Sequence, residues 1–188
     1  MVDKLIPTRR AAWEIIRIAK LKDRTIHDIT NEYFRRFSFS DRDKRFVRRL
    51  AQGTVKMKTR LDWELSQVFN GEWSELNYSL KIMLRLGAFQ IKYMDDVPDY
   101  LSVSSIVNVA KAFHPGSAKF ANALLRTYIE AKIFQPDEHS SIISWAEWLS
   151  HPIWLISRWT ENWDLETAKK IAEWNNQESE MWFRLNKM

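Results

Sequence analysis

From Asp41 to Phe69 the chain reads DRDKRFVRRLAQGTVKMKTRLDWELSQVF, the longest segment that holds a single helical register. Phe46, Leu50, Thr54, Met57, Leu61, Leu65 and Val68 recur at the three- and four-residue spacing that lines them up on one side of a helix. Arg42, Arg45, Arg48, Arg49, Lys56 and Arg60 fall on the other side, so the segment reads as a core strut and a basic rail at once. One unbroken helix of about 40 Å, at roughly 1.5 Å per residue, is the expectation. Ser40, ahead of Asp41 and Asp43, supplies an N-cap and acidic residues for the first turn. A rod of that length requires the other segments to wrap around it.

Those segments carry the same period. Pro7 and Thr8 announce a helix over Ala11–Lys22 whose inner stripe is Ala12, Ile15, Ile16 and Ala19, while Arg9, Arg10, Arg17 and Lys20 flank Trp13 beside it. An aromatic among basic residues suits phosphate contact and base stacking; half-buried packing is the competing role for Trp13. Thr25 caps a short helix with Ile26, Ile29, Tyr33 and Phe34 inward, and Asn70–Gly71 stop the long one. Trp73–Met94 is the next helix, with Leu80, Met83, Leu84, Gly87 and Ile91 on one face. A glycine there costs about 1 kcal/mol against alanine, so Gly87 implies close approach of a neighbour. Tyr100–Phe113 and Ser117–Phe134 follow, the last with Phe120, Ala123, Leu124, Thr127, Tyr128 and Ala131 inward, making six helices before Pro136.

Four Gly and five Pro in 188 residues leave little material for a many-turned β protein, and ten Trp with ten Phe supply a large core, so the fold class is all-α. The absence of cysteine excludes a disulfide framework, a thiolate metal site and a cysteine nucleophile. MVDK opens the chain without an apolar run behind it, and the longest uncharged stretch, Tyr100–Ala110, is too short to span a bilayer; a cytoplasmic protein without membrane contact is expected. Charge is unevenly placed: residues 1–60 hold seventeen Lys and Arg against seven Asp and Glu, a net of +10, whereas residues 61–188 carry a net of −5. A basic third of this kind favours polyanions through counterion release.

No active site accompanies it. His27, His114, His139 and His151 are scattered with no ligand spacing, and Asp95, Asp96 and Asp99 around Pro98 read as a solvated turn, so neither catalytic nor metal residues are assigned. Trp145, Trp148, Trp154, Trp159 and Trp163 keep helical spacing and read as the interior of a two- or three-helix appendage, with some apolar surface left exposed.

The runs MLRLGAFQIKYMDDVP at 83–98 and KFANALLR at 119–126, with the basic opening RRAAWEII at 9–16, resemble the NusB-like fold, the all-helical RNA-binding domain of bacterial antitermination factors. The same domain begins the small-subunit ribosomal RNA cytosine-C5 methyltransferases of the RsmB or Sun type. SHPIWLISRWTENWDLETAKKIAEWNNQ at 150–177 and FRLN at 183–186 resemble the segment that joins domain to enzyme in that family, which stand-alone antiterminators lack. The chain departs from the family pattern at Ser104–Ser105, where an Asn-Glu pair is usual, and at Glu178–Ser179, where prolines are usual. It also has no Gly-rich loop for S-adenosylmethionine and no Pro-Cys nucleophile motif.

The resemblance implies a NusB-like helical bundle over 1–136 and, over 137–188, a short helical extension leading to a methyltransferase body that is absent. The expected function is to bind and position RNA, small-subunit ribosomal RNA in particular, for that missing domain. S-adenosylmethionine is expected to belong to that domain, with no cofactor in this chain. Face and charge select Arg9, Arg10, Trp13, Arg17, Arg42, Arg45, Arg49, Lys56 and Arg60 as RNA contacts, which give affinity and position with little sequence choice. An antitermination-type RNA-binding factor and a protein-interaction or homodimerisation domain are the alternatives.

Overall fold

The computed structural model describes residues 8–177 and 184; the MVDK start, Pro7, Glu178–Ser179 and, of the 183–186 run, all but Arg184 lie outside the described residues. Ten α-helices and no strand occur among the described residues. The chain divides into two compact units, Met1–Phe134 and Gln135–Met188.

The first unit holds α1 (Thr8–Lys22), α2 (Ile26–Arg36), α3 (Asp41–Lys56), α4 (Lys58–Val68), α5 (Tyr78–Tyr93), α6 (Asp99–Phe113) and α7 (Ala118–Glu130). Seven helices stand where six are expected, because the Asp41–Phe69 segment breaks at Met57. Met57 has φ −92° and ψ 15°, and its N–H still reaches the Gly53 carbonyl at 2.9 Å. The bend lets both halves lie on α5: Leu50, Ala51 and Thr54 bury from α3, Leu61 and Leu65 from α4. A straight rod would meet α5 at a single crossing.

The element that the others wrap around is therefore α5. Ile82 to Gln90 are all buried, and α1, α3, α4, α6 and α7 all pack on this helix. A helix apolar on every side belongs inside. The two long polar residues within that buried stretch are satisfied: Arg85 forks onto the Asp62 carboxylate at 2.5 and 2.9 Å, and Gln90 donates to the Leu86 carbonyl. Gly87 does mark a close approach, since a Cβ there would lie 2.6 Å from Leu125 Cδ1 of α7. On α7 the inner stripe is Ala118, Ala121, Leu124, Leu125 and Tyr128; Ala123 and Thr127 face solvent, so the stripe is rotated from the expected one. Trp73–Glu75 is a separate 3₁₀ turn, and Asn77 caps α5 by accepting from the Ser79 N–H.

The second unit contains α8 (Ile142–Trp148), α9 (Ile153–Asn162) and α10 (Leu165–Asn176) around Trp145, Ala146, Leu149, Ile156 and Ala172. Trp148 and Trp159 pack on this core, but Trp154 and Trp163 do not: they are 64% and 59% exposed, as Trp174 is at 72%. The aromatic run is an interior in part and a surface in part. No described helix is long and apolar enough to cross a membrane.

Candidate nucleic-acid interface

The outer face of α3 is built by its own cap and stripe. Ser40 Oγ accepts from the Asp43 N–H at 3.1 Å and donates to the Asp43 carboxylate at 2.7 Å, which starts the helix with fixed phase. With Val47, Leu50, Ala51 and Thr54 buried, Arg42, Arg45, Arg48 and Arg49 must point outward. Arg42 and Arg45 are exposed, and neither forms an ion pair, hydrogen bond or ring contact with a described residue. Arg48 lies over the Phe34 ring at 5.1 Å. Arg49 reaches across to the acidic turn, donating to the Tyr93 carbonyl at 3.0 Å and to Asp96 at 3.4 Å. Lys56 is exposed at the end of the same helix.

The cations of α1 are placed differently. Arg9 Nε donates to Gln90 Oε1 at 2.9 Å and its guanidinium covers Phe46 at 4.2 Å; burial lowers its pKa, with the Asp96 carboxylate acting in the opposite sense. Arg17 lies over the Trp13 ring at 5.2 Å with its Nε buried and unbonded. Arg10 is exposed, pairs with Glu14 at 2.9 Å and caps the Phe113 ring at 5.0 Å. Trp13 is no stacking platform: it is 3% exposed, donates Nε1–H to the Ser79 carbonyl and packs against Phe113 with ring centres 4.4 Å apart. Its indole fills the boundary between α1, α5 and α6, where apolar area is removed from water, and a base has no access to it.

Arg60 is also turned away from the expected rail. Its Nε donates to Glu64 at 2.9 Å, and Glu64 is fully buried, where it also accepts from Lys92 and, at 2.5 Å, from the Tyr128 hydroxyl. Burial alone would raise the Glu64 pKa, but the hydrogen bonds from Arg60, Lys92 and Tyr128 outweigh it and hold the carboxyl below its ordinary range. Burial lowers the Lys92 pKa, and burial next to the Glu64 charge pushes the Tyr128 phenol upward. The sequence offered a signal for this cluster: Glu64 sits between Leu61 and Leu65 on the inner stripe, and a carboxylate there requires cationic partners such as Arg60 one turn earlier.

Two grooves adjoin this face. One, of about 630 Å³, runs between Arg9, Arg42, Arg45 and Arg49 on one side and Met94, Asp96 and Pro98 on the other. The second, of about 590 Å³, has Phe39, Val109, Ala112 and Phe113 as its walls and Arg10 and Asn108 at its rim. Thr8, Arg9, Ser40 and Asp43 line both, so they share one wall. The aromatic groove uses α6 and the turn between α2 and α3, residues distant in sequence, which helical periodicity does not bring together.

The model of the NusB family matches residues 7–130. The chain belongs to the NusB family. Beyond the NusB-family domain, residues 151–188 match the model of the ferredoxin-like domain of RsmF/B-like methyltransferases. The chain is 26% identical over 188 residues to a probable ribosomal RNA small subunit methyltransferase B of Synechocystis sp., covering 97% of this chain and 41% of that protein. The corresponding Bacillus subtilis protein, also named as probable, is 28% identical over 151 residues, 79% of this chain and 34% of the relative. Ribosomal RNA small subunit methyltransferase B of Klebsiella pneumoniae is 26% identical over 152 residues, 79% of this chain and 33% of the relative. The NusB-family chain thus spans well under half the length of these relatives.

Proposed function

We propose that this chain binds RNA and positions it for a methyltransferase domain outside the given sequence, in a cytoplasmic protein that modifies a cytosine of small-subunit ribosomal RNA. The observation that carries the reading is the outer face of α3, where Arg42 and Arg45 stand unpaired beside a groove on a NusB-family scaffold. Unpaired guanidiniums bind phosphate oxygens in bidentate fashion and release counterions as they do so. The match over residues 151–188 favours a methyltransferase relative over an antitermination factor.

The residues present do not fit S-adenosylmethionine. Gly53 and Gly87 lie in helices against Phe89 and Leu125, Gly71 and Gly116 lie outside the α-helices, and no cysteine exists to attack a cytosine ring. Cofactor and chemistry are assigned to the domain beyond this chain, and this chain acts through binding alone.

The test is binding of the purified chain to a small-subunit ribosomal RNA fragment and to duplex DNA of equal length, titrated across salt, with its mass followed on a sizing column. Tighter, salt-sensitive binding to the RNA supports the reading. Equal or negligible binding to both removes it, and a stable dimer that ignores RNA would establish the protein-interaction alternative instead.

A further inference from the structure

We infer that the first unit also docks protein: a cleft at the break between α3 and α4 receives one tyrosine side chain from an acidic segment of a partner protein. The cleft shares no lining residue with the groove beside Arg42 and Arg45, so this inference goes beyond the proposed RNA binding and does not depend on it.

The cleft sits where the long basic segment bends. Thr54 and Val55 precede Met57 and Lys58 follows it, and residues of α1, the first turn of α2 and α5 complete the walls. Ile16, Ala19, Ile26, Val55 and Ile82 make its sides apolar, and the Tyr78 ring, with Arg85 over it at 5.8 Å, adds a flat surface. The volume is about 240 Å³, below the roughly 300–1,000 Å³ of pockets that enclose a whole small-molecule ligand. A space of this size takes one large side chain, as the anchor pockets at the centre of protein interfaces do.

Thr54 selects the anchor. It lines the cleft at 1% exposure, and its Oγ1 is buried without a hydrogen-bond partner among the described residues. A buried hydroxyl left unpaired costs free energy, which a ligand that bonds it recovers. A purely aliphatic anchor cannot do so, whereas tyrosine has a ring to fill the apolar walls and a hydroxyl at its tip to pair with Oγ1. The rim selects the flanking sequence. Lys20 and Lys58 are exposed and make no ion pair, hydrogen bond or ring contact with a described residue. Arg24 and Arg85 are already held, by Glu32 at 2.7 Å and by Asp62. Asp23 is the acidic residue among those lining the cleft, so the uncommitted rim charge is positive and complements carboxylates on either side of the tyrosine.

The purified chain is titrated with short acetylated peptides in which a central tyrosine, phenylalanine or alanine lies between aspartate and glutamate residues, and with the tyrosine peptide carrying lysine flanks instead. Thermal melting checks the folding of each variant. The acidic tyrosine peptide is expected to bind about 30-fold tighter than its alanine counterpart, the scale of one anchor residue, and about 5-fold tighter than the phenylalanine one, the scale of one hydrogen bond. Thr54→Val keeps the side-chain shape, should melt no lower than wild type, and should abolish the preference for tyrosine over phenylalanine. Lys20→Glu/Lys58→Glu should weaken the acidic peptides and improve the lysine-flanked one. Equal affinity for the tyrosine and alanine peptides, no binding by any peptide, or a tyrosine preference that survives in folded Thr54→Val overturns the cleft as a tyrosine site. Indifference to the flanking charge, or a loss of RNA rather than peptide affinity in Lys20→Glu/Lys58→Glu, overturns the acidic partner. Arg42→Ala/Arg45→Ala should leave peptide affinity unchanged, so failure of the cleft and failure of the proposed RNA binding are read separately.

Discussion

Helices α1 and α3 look alike on paper: each sets several arginines beside an apolar stripe. In the fold they differ. The α1 guanidiniums of Arg9 and Arg17 lie against Phe46 and Trp13 and seal the edge of the core, whereas Arg42 and Arg45 of α3 touch no described partner. A cation already engaged by a carbonyl or ring must give up that contact to bind phosphate; a free one gives up only water. The comparison teaches that a basic stripe reports surface charge, and that tertiary neighbours decide which charges remain available.

The largest effect lies in the cation that moved farthest from its expected place, Arg60. Glu64→Gln strips the buried charge on which the hydrogen bonds from Arg60, Lys92 and Tyr128 converge. Stability should fall by about 3 kcal/mol, within the range for breaking buried pairs. Chemical denaturation across pH checks it with a defined sign. The folded-state pKa of Glu64 lies below its ordinary value, so its contribution is present above the ordinary carboxylate range and is lost as pH falls through the folded pKa. The variant should show a flatter acid limb than wild type.

A second substitution probes the inner face of α3. A Cβ on Gly53 would lie 2.1 Å from the tip of the Phe89 ring, which is rigid and buried in α5. Gly53→Ala should therefore destabilise by about 2 kcal/mol despite better helix propensity, the scale of an overpacked core. Its melting curve should shift while salt dependence of RNA binding keeps its slope.

Arg9→Met tests the α1 side directly. Methionine keeps contact with Phe46 but leaves the buried Gln90 Oε1 without its donor, which costs about 1–2 kcal/mol. Denaturant unfolding should detect that loss, and RNA affinity should change less than in the α3 variants.

Much of the fold was legible because helix signals are local. Thr25 and Ser40 cap as their positions imply, accepting from the Asp28 and Asp43 N–H groups, and Gly87 marks the contact with Leu125. The break at Met57 left no trace, since Val55-Lys56-Met57-Lys58 contains neither glycine nor proline; the bend is imposed by packing on α5. The same limit governed the site. Arg42 and Arg45 were readable as an outward face, but the burial of Trp13 depends on Ser79 and Phe113, far away in sequence. The inward turn of Arg60 was half-legible through Glu64 on the apolar stripe, while Lys92 and Tyr128 complete the cluster from two other helices.

The central claim is that the free arginines of α3 hold RNA phosphates. It is tested most directly by the salt dependence of RNA binding in Arg42→Ala/Arg45→Ala beside wild type. Folding stability should stay within about 0.5 kcal/mol of wild type, because no described contact is lost. The slope of log affinity against log salt should shrink in magnitude by about 1.4–1.8, or 0.7–0.9 for each phosphate contact removed. An unchanged slope in a folded double variant would contradict the claim and reduce the basic face to solvated surface.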